Sequence, residues 1–185
     1  MLEEIILAGF GGQGIMAMGQ LLTYAGMLED KHVAWIPSYG PEMRGGTANC
    51  SVTISTEPIS SPVISEPSTV IVLNSPSLGK FGPIVKHGGI LIINSSLIDS
   101  GYFRSGMRIF EIPANDLALE LGNNRVANII LLGAFLQLTG AVAIDSVIEA
   151  LKKVLPEHRH NLIPLNRAAL EKGFTHSLKS GGGIN

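Results

Sequence analysis

Gly9-Phe10-Gly11-Gly12-Gln13-Gly14 stands between the apolar run Glu4–Ala8 and a helix-period stretch from Ile15 to Leu28, and this junction decides the fold. A short apolar run stopped by glycine reads as a buried strand. Ile15, Met18, Leu22 and Ala25 recur on one helical face. His32–Ile36 reads as a second strand, ended by Pro37. Strand, glycine turn, helix and strand together predict a parallel pair joined by a right-handed crossover.

Further along, Thr47–Ser55 alternates like a strand with one wet face, and 56–67 is a Ser- and Pro-rich loop. Thr69–Leu73 and Gly89–Ile93 are continuous apolar runs, as in central parallel strands covered on both faces. Met107–Ile112 is another strand. The remainder reads as helices: Asn115–Leu121 closed by Gly122, the almost wholly apolar Val126–Thr139, a third capped by Asp145 and running to Leu155, and Leu162–Lys172 stopped by Gly173. The expected fold is α/β: an open, mostly parallel, Rossmann-like sheet flanked by helices, with a helical C-terminal part. The expected organisation is one domain over 1–179 and a flexible tail over 180–185.

Among the 185 residues, 45% are hydrophobic and 15% charged, against roughly 25% charged in an average globular domain. A domain of this size cannot bury so much apolar surface by itself, which points to a partner-covered face. Net charge is −2 with no basic run, which argues against nucleic acid. The most apolar stretch, Ile129–Leu138, is too short for a membrane span and contains Gly133 and Gln137. The sole cysteine, Cys50, forms no internal disulfide and sits in an alternating strand, where it reads as a small core residue; a cytoplasmic location fits.

Gly9, Gly11 and Gly14 match G-x-G-x-x-G after a strand and before a helix. Amides at a helix start, with the positive end of its dipole, suit a phosphate. Gly12 adds a flexible amide, and Gln13 a neutral amide side chain at the mouth. Two readings stand here: a phosphate cradle, or glycines that only let the helix pack close. A tight NAD site would need an acid closing the second strand, and Glu29 and Asp30 lie before it instead. The second glycine-rich loop holds Tyr39, Glu42 and Arg44. Arg44 is able to grip a phosphate or carboxylate with paired hydrogen bonds; its plain alternative is a surface pair with Glu42.

Together, Gly-Phe-Gly-Gly-Gln-Gly and Ser38-Tyr39-Gly40-Pro41-Glu42-Met43-Arg44-Gly45-Gly46-Thr47-Ala48 closely resemble the γ subunit of 2-oxoacid:ferredoxin (acceptor) oxidoreductases. Pro113-Ala114-Asn115, Gly122–Asn128, Leu132-Gly133-Ala134, Leu165-Asn166 and Ala169–Gly173 look like the same family, most like its 2-oxoglutarate branch. The resemblance implies oxidative decarboxylation of a 2-oxoacid to an acyl-coenzyme A. Thiamine diphosphate, magnesium and iron–sulfur clusters would sit on partner subunits, with electrons passing to ferredoxin or another acceptor. One cysteine cannot supply the four thiolates a cluster usually takes, and no Gly-Asp-Gly stretch followed by asparagine is present. This chain would therefore bear no catalytic residue and be inactive alone. Its implied work is to shape the site and help bind coenzyme A through Gly9, Gly11, Gly12, Gln13 and Gly14. Tyr39, Glu42 and Arg44 would face the intersubunit site, with Asn123 and Arg125 as further candidates. The rival reading is a free-standing nucleotide-binding module forming a homodimer. No metal site is expected, because the five histidines are scattered.

Overall fold

The computed structural model describes residues 1–38, 47–99, 101 and 104–179. Six strands form one sheet in the order β2-β3-β1-β4-β5-β6. They are β1 Leu2–Phe10, β2 His32–Ser38, β3 Thr47–Ser55, β4 Thr69–Val72, β5 Ile90–Asn94 and β6 Arg108–Ile112. β1, β4, β5 and β6 pair in parallel, while β3 runs antiparallel to both β1 and β2. Five strands thus share one direction. The sheet is mostly parallel, as the apolar runs predicted.

The expected pairing of the first two strands is corrected. β1 and β2 run the same way but do not touch, because β3 lies between them. The chain reverses between Ser38 and Thr47, and the returning strand finds a partner on each side. Ser38 lies opposite Asn49, and Thr47 opposite Phe10. Both anchors of the 39–46 segment therefore stand at the carboxyl end of β1, beside the first glycine turn.

Alternation along the strands divides the core in two. Ile5, Leu7, Cys50, Val52, Ile54, Ile71 and Ile92 face a thick helical layer. It contains α1 (Ile15–Leu28), α3 (Ala114–Glu120), α4 (Ala127–Thr139), α5 (Ile144–Val154) and α6 (Ile163–Lys179). Ile6, Ala8, Val70, Val72, Leu91 and Ile93 face the other way, against Leu78, Phe81, Val85, Ile98 and Met107. Leu78 and Phe81 come from α2 (Ser75–Phe81), a helix the sequence reading missed. Its signals were local: Asn74 caps it by accepting from the Ser77 N–H at 2.8 Å, and Pro76 sits in the first turn.

α4 is buried almost throughout, as its unbroken apolar composition required. It packs chiefly on α6. That contact explains why Gly173 does not end α6, which continues to Lys179. A Cβ at Gly173 would run into the Ile130 carbonyl, and one at Gly133 into the Leu170 carbonyl. Both glycines bring two helix backbones together. Neither marks a stop.

Asp145 is not the cap of α5 either. Ala143 occupies that position, and its N–H donates to Glu29 Oε1 at 2.7 Å. Glu29 also pairs with Lys31 at 2.6 Å, and Lys31 Nζ donates to the Ala141 carbonyl at 2.7 Å. The turn after α1 is thereby clamped to the loop between α4 and α5. Burial alone would raise the Glu29 pKa, but bonds from Lys31, Ser146 and the Ala143 N–H outweigh it and hold the carboxyl below its ordinary 4.5. A carboxyl depressed on folding stabilises above its unfolded pKa and loses that contribution as pH falls through the folded value. Glu29→Gln is expected to cost about 1–3 kcal/mol at neutral pH, because Lys31 loses its charged partner. Urea titrations should show the gap from the parent protein closing as pH is lowered below 4.5.

Cys50 is fully buried, and burial pushes its thiol up to about 11, against a smaller opposing pull from Trp35. It is an inert core residue at neutral pH. Among the described residues, no cluster of histidine, cysteine and carboxylate side chains has metal-site geometry, and no helix is long and apolar enough to cross a membrane.

Candidate functional site

At the carboxyl edge of the sheet, a cleft of about 540 Å³ opens where the turn after β1 meets the ends of β4 and β5. α1 packs on one face of the sheet and α2 on the other. The gap between β1 and β4 is thus the position at which helices switch sides, where open α/β sheets bind ligands. Gly12, Gln13 and Gly14 form one wall. Asn94, Asn115, Asn124, Arg125 and Asn128 supply its other polar lining, with Asn128 next to Gly14.

The turn has the conformation its glycines allow. Gly12 has φ 90° and Gly14 φ 78°, both in the left-handed region. Among the described residues, no hydrogen bond takes the N–H of Gly11, Gly12 or Gly14. Gln13 works differently from its expected place at the mouth. Its Oε1 accepts from the Phe10 N–H at 2.6 Å, and its Nε2 donates to the Leu73 carbonyl at 3.4 Å. The side chain ties the turn to β1 and β4, leaving the backbone to face the cleft. Gly9 lies beneath: a Cβ there would come within 2.6 Å of Gln13 Oε1 and 3.1 Å of Leu73 Cβ. Gly9 serves close packing and does not line the cleft.

A run of amides forms the opposite wall. Asn94 Nδ2 donates to Asn115 Oδ1 at 2.8 Å, and Asn115 Nδ2 donates to Asn124 Oδ1 at 2.7 Å. Asn94 Oδ1 accepts from the Ser96 and Ala114 N–H groups. These bonds join the end of β5, the start of α3 and the turn Asn124–Val126. Asn123 Oδ1 accepts from the Arg125 N–H at 3.0 Å and so shapes the turn that carries Arg125. Asn128 Nδ2 donates to the Gly14 carbonyl at 3.3 Å, tying α4 to the glycine turn.

Of the expected site residues, Gly12, Gln13, Gly14 and Arg125 line the cleft. Asn123 supports it from behind, and exposed Gly11 belongs to the same turn. Tyr39, Glu42 and Arg44 lie outside the described residues. Sequence reasoning did not single out Asn94, Asn115, Asn124 or Asn128 as lining residues. Their signal was present as asparagines at the ends of β5, α3 and α4, where an amide side chain satisfies backbone groups that helix and strand leave open.

Among the described residues, the cleft can therefore offer backbone amides without a hydrogen-bond partner, neutral side-chain amides and one guanidinium, and no carboxylate lines it. Such a set favours an anionic, phosphate-bearing ligand. Among the described residues, its lining holds no nucleophile–base pair.

Comparison with known proteins agrees with the two-loop resemblance. Residues 4–176 match the family described as pyruvate ferredoxin/flavodoxin oxidoreductase. The chain belongs to that family. It is 34% identical over 177 residues to the 2-oxoglutarate synthase subunit KorC of Methanocaldococcus jannaschii, covering 94% of this chain and 93% of that one. It is 38% identical over 172 residues to the ketoisovalerate oxidoreductase subunit VorA of Methanothermobacter thermautotrophicus. That match covers 92% of this chain and 35% of the relative, so the chain spans about a third of that relative's length. Among solved structures, the keto/oxoacid ferredoxin oxidoreductase gamma subunit of Geobacter sulfurreducens superposes with a TM-score of 0.82 at 29% identity. It covers 96% of this chain and 99% of that chain. The family member described here is thus γ-subunit-like in sequence and in fold.

Proposed function

We propose that the chain acts as the γ subunit of a 2-oxoacid:ferredoxin oxidoreductase, helping to bind coenzyme A while partner subunits carry out the redox chemistry. The observation that carries this reading is the anion-favouring cleft at the helix switch point, built from the loop that resembles the γ family. Coenzyme A brings several phosphate charges, and the uncommitted amides of the Gly11–Gly14 turn suit them. Arg125, and Arg44 of the second glycine-rich motif, would add paired hydrogen bonds. In this reading carbon chemistry and electron transfer fall to chains bearing thiamine diphosphate, magnesium and iron–sulfur clusters. Ferredoxin or another acceptor would take the electrons, and the complex would work in the cytoplasm. We take 2-oxoglutarate as the oxoacid, on the match to a 2-oxoglutarate synthase subunit over nearly the full length of both chains.

The test uses the assembled enzyme. Arg125→Ala and Arg44→Ala are each expected to raise the apparent KM for coenzyme A about tenfold, the worth of one charge-assisted contact. The KM for the oxoacid should stay unchanged. An unaltered coenzyme A dependence in both variants would remove the binding role. Acceptor reduction with 2-oxoglutarate, pyruvate and 2-ketoisovalerate in parallel tests the choice of oxoacid. The isolated chain should show no turnover.

A further inference from the structure

A second cavity, of about 380 Å³, lies behind the cleft and is chemically unlike it. Its walls come from α1, the turn before α4, the end of α5, the short helix Glu157–Leu162 and the start of α6. Leu21, Ile129 and Leu151 form a dry floor, each no more than 5% exposed. Leu155 and Leu165 form half-buried sides. Two arginines, Arg125 and Arg159, also line this cavity. Neither has a carboxylate within ion-pair distance among the described residues, and the lining contains no acid. For a chain of net charge −2, that is a local excess of positive charge at an apolar hole.

Asn128 joins the two cavities. It is 7% exposed and borders both cavities. Its Nδ2 donates to the Gly14 carbonyl, which also accepts from the Met18 N–H at 3.1 Å, and a flipped amide would set oxygen against that oxygen. Its Oδ1 is buried with no hydrogen-bond partner among the described residues. A buried acceptor left open is costly.

We infer that this cavity is a binding site for an aliphatic carboxylic acid of medium size, its carbon chain on the leucine floor and its carboxylate at Arg159 and Arg125. The volume falls within the range of small-molecule sites and well above the needs of acetate. Two arginines lining one apolar cavity match a carboxylate head better than a neutral one. Because Asn128 and Arg125 border both cavities, occupancy here would be felt at the glycine turn.

Calorimetric titration of the full chain with 4-methylpentanoate, 2-hydroxy-4-methylpentanoate and the alcohol 4-methylpentan-1-ol tests this. Saturable binding of both acids with a Kd of about 1 mM or tighter is expected, with the alcohol much weaker. Arg159→Met, at an exposed position, should keep the parent melting temperature and weaken both acids at least about tenfold. Methyl NMR shifts on addition of the acid should fall on Leu151 and Leu155. Absence of saturation at about 10 mM, equal binding by Arg159→Met, or shifts confined to other regions would each overturn the assignment.

Discussion

Gly133→Ala is expected to destabilise the protein by about 3 kcal/mol, although alanine is the better helix former. Intrinsic propensity alone would favour the substitution by about 1 kcal/mol. Packing reverses the sign. The added Cβ would overlap the Leu170 carbonyl, which is helix backbone and cannot rotate aside. α6 would have to lift from α4 along its length, opening the contact that buries Ala169 and Leu170. Gly173→Ala meets the Ile130 carbonyl from the other side and should behave alike. The double variant should cost less than the sum, because one separation of the helices relieves both overlaps. Urea midpoints decide the matter: a rise on Gly133→Ala would show that the two helices do not meet backbone to backbone.

The second large effect belongs to the glycine turn. Gly14→Ala should raise the coenzyme A requirement of the assembled enzyme about a hundredfold, the scale set by a 1 Å displacement of a positioning group. Two separate costs converge there. An alanine at φ 78° is strained by about 1–2 kcal/mol, and its Cβ would strike the Asn128 amide. The turn would have to shift, and the Asn128 bond to the Gly14 carbonyl would break with it. Gly12→Ala is the internal control. It carries similar strain at φ 90°, yet its Cβ would meet nothing within 4 Å. A smaller loss of function at Gly12 than at Gly14 would show that the contact with Asn128 matters beyond backbone strain.

The parallel sheet and the first glycine turn were legible because each rests on local rules. Continuous apolar runs give central strands, and a glycine cluster between strand and helix gives a tight turn. The insertion of β3 between β1 and β2 was not legible, because alternation along Thr47–Ser55 shows that a strand exists but not which neighbours it pairs with. Gly173 misled for a related reason. Glycine ends a helix when its backbone conformation is needed and continues one when a neighbouring backbone must come close, and only the partner helix distinguishes the two. In the site, Gly12, Gly14 and Arg125 followed from motif and resemblance. The asparagine wall did not, since Asn94, Asn115 and Asn124 come from distant segments and meet only through the fold.

The account rests on phosphates meeting the backbone of the Gly11–Gly14 turn opposite Arg125. Hydrogen exchange of the assembled enzyme, with and without coenzyme A, reads those amides directly. Slowed exchange in peptides covering 9–18 and 122–130 of this chain is predicted once coenzyme A is bound. Unchanged exchange in both, with protection appearing only in other chains or elsewhere in this one, would contradict it.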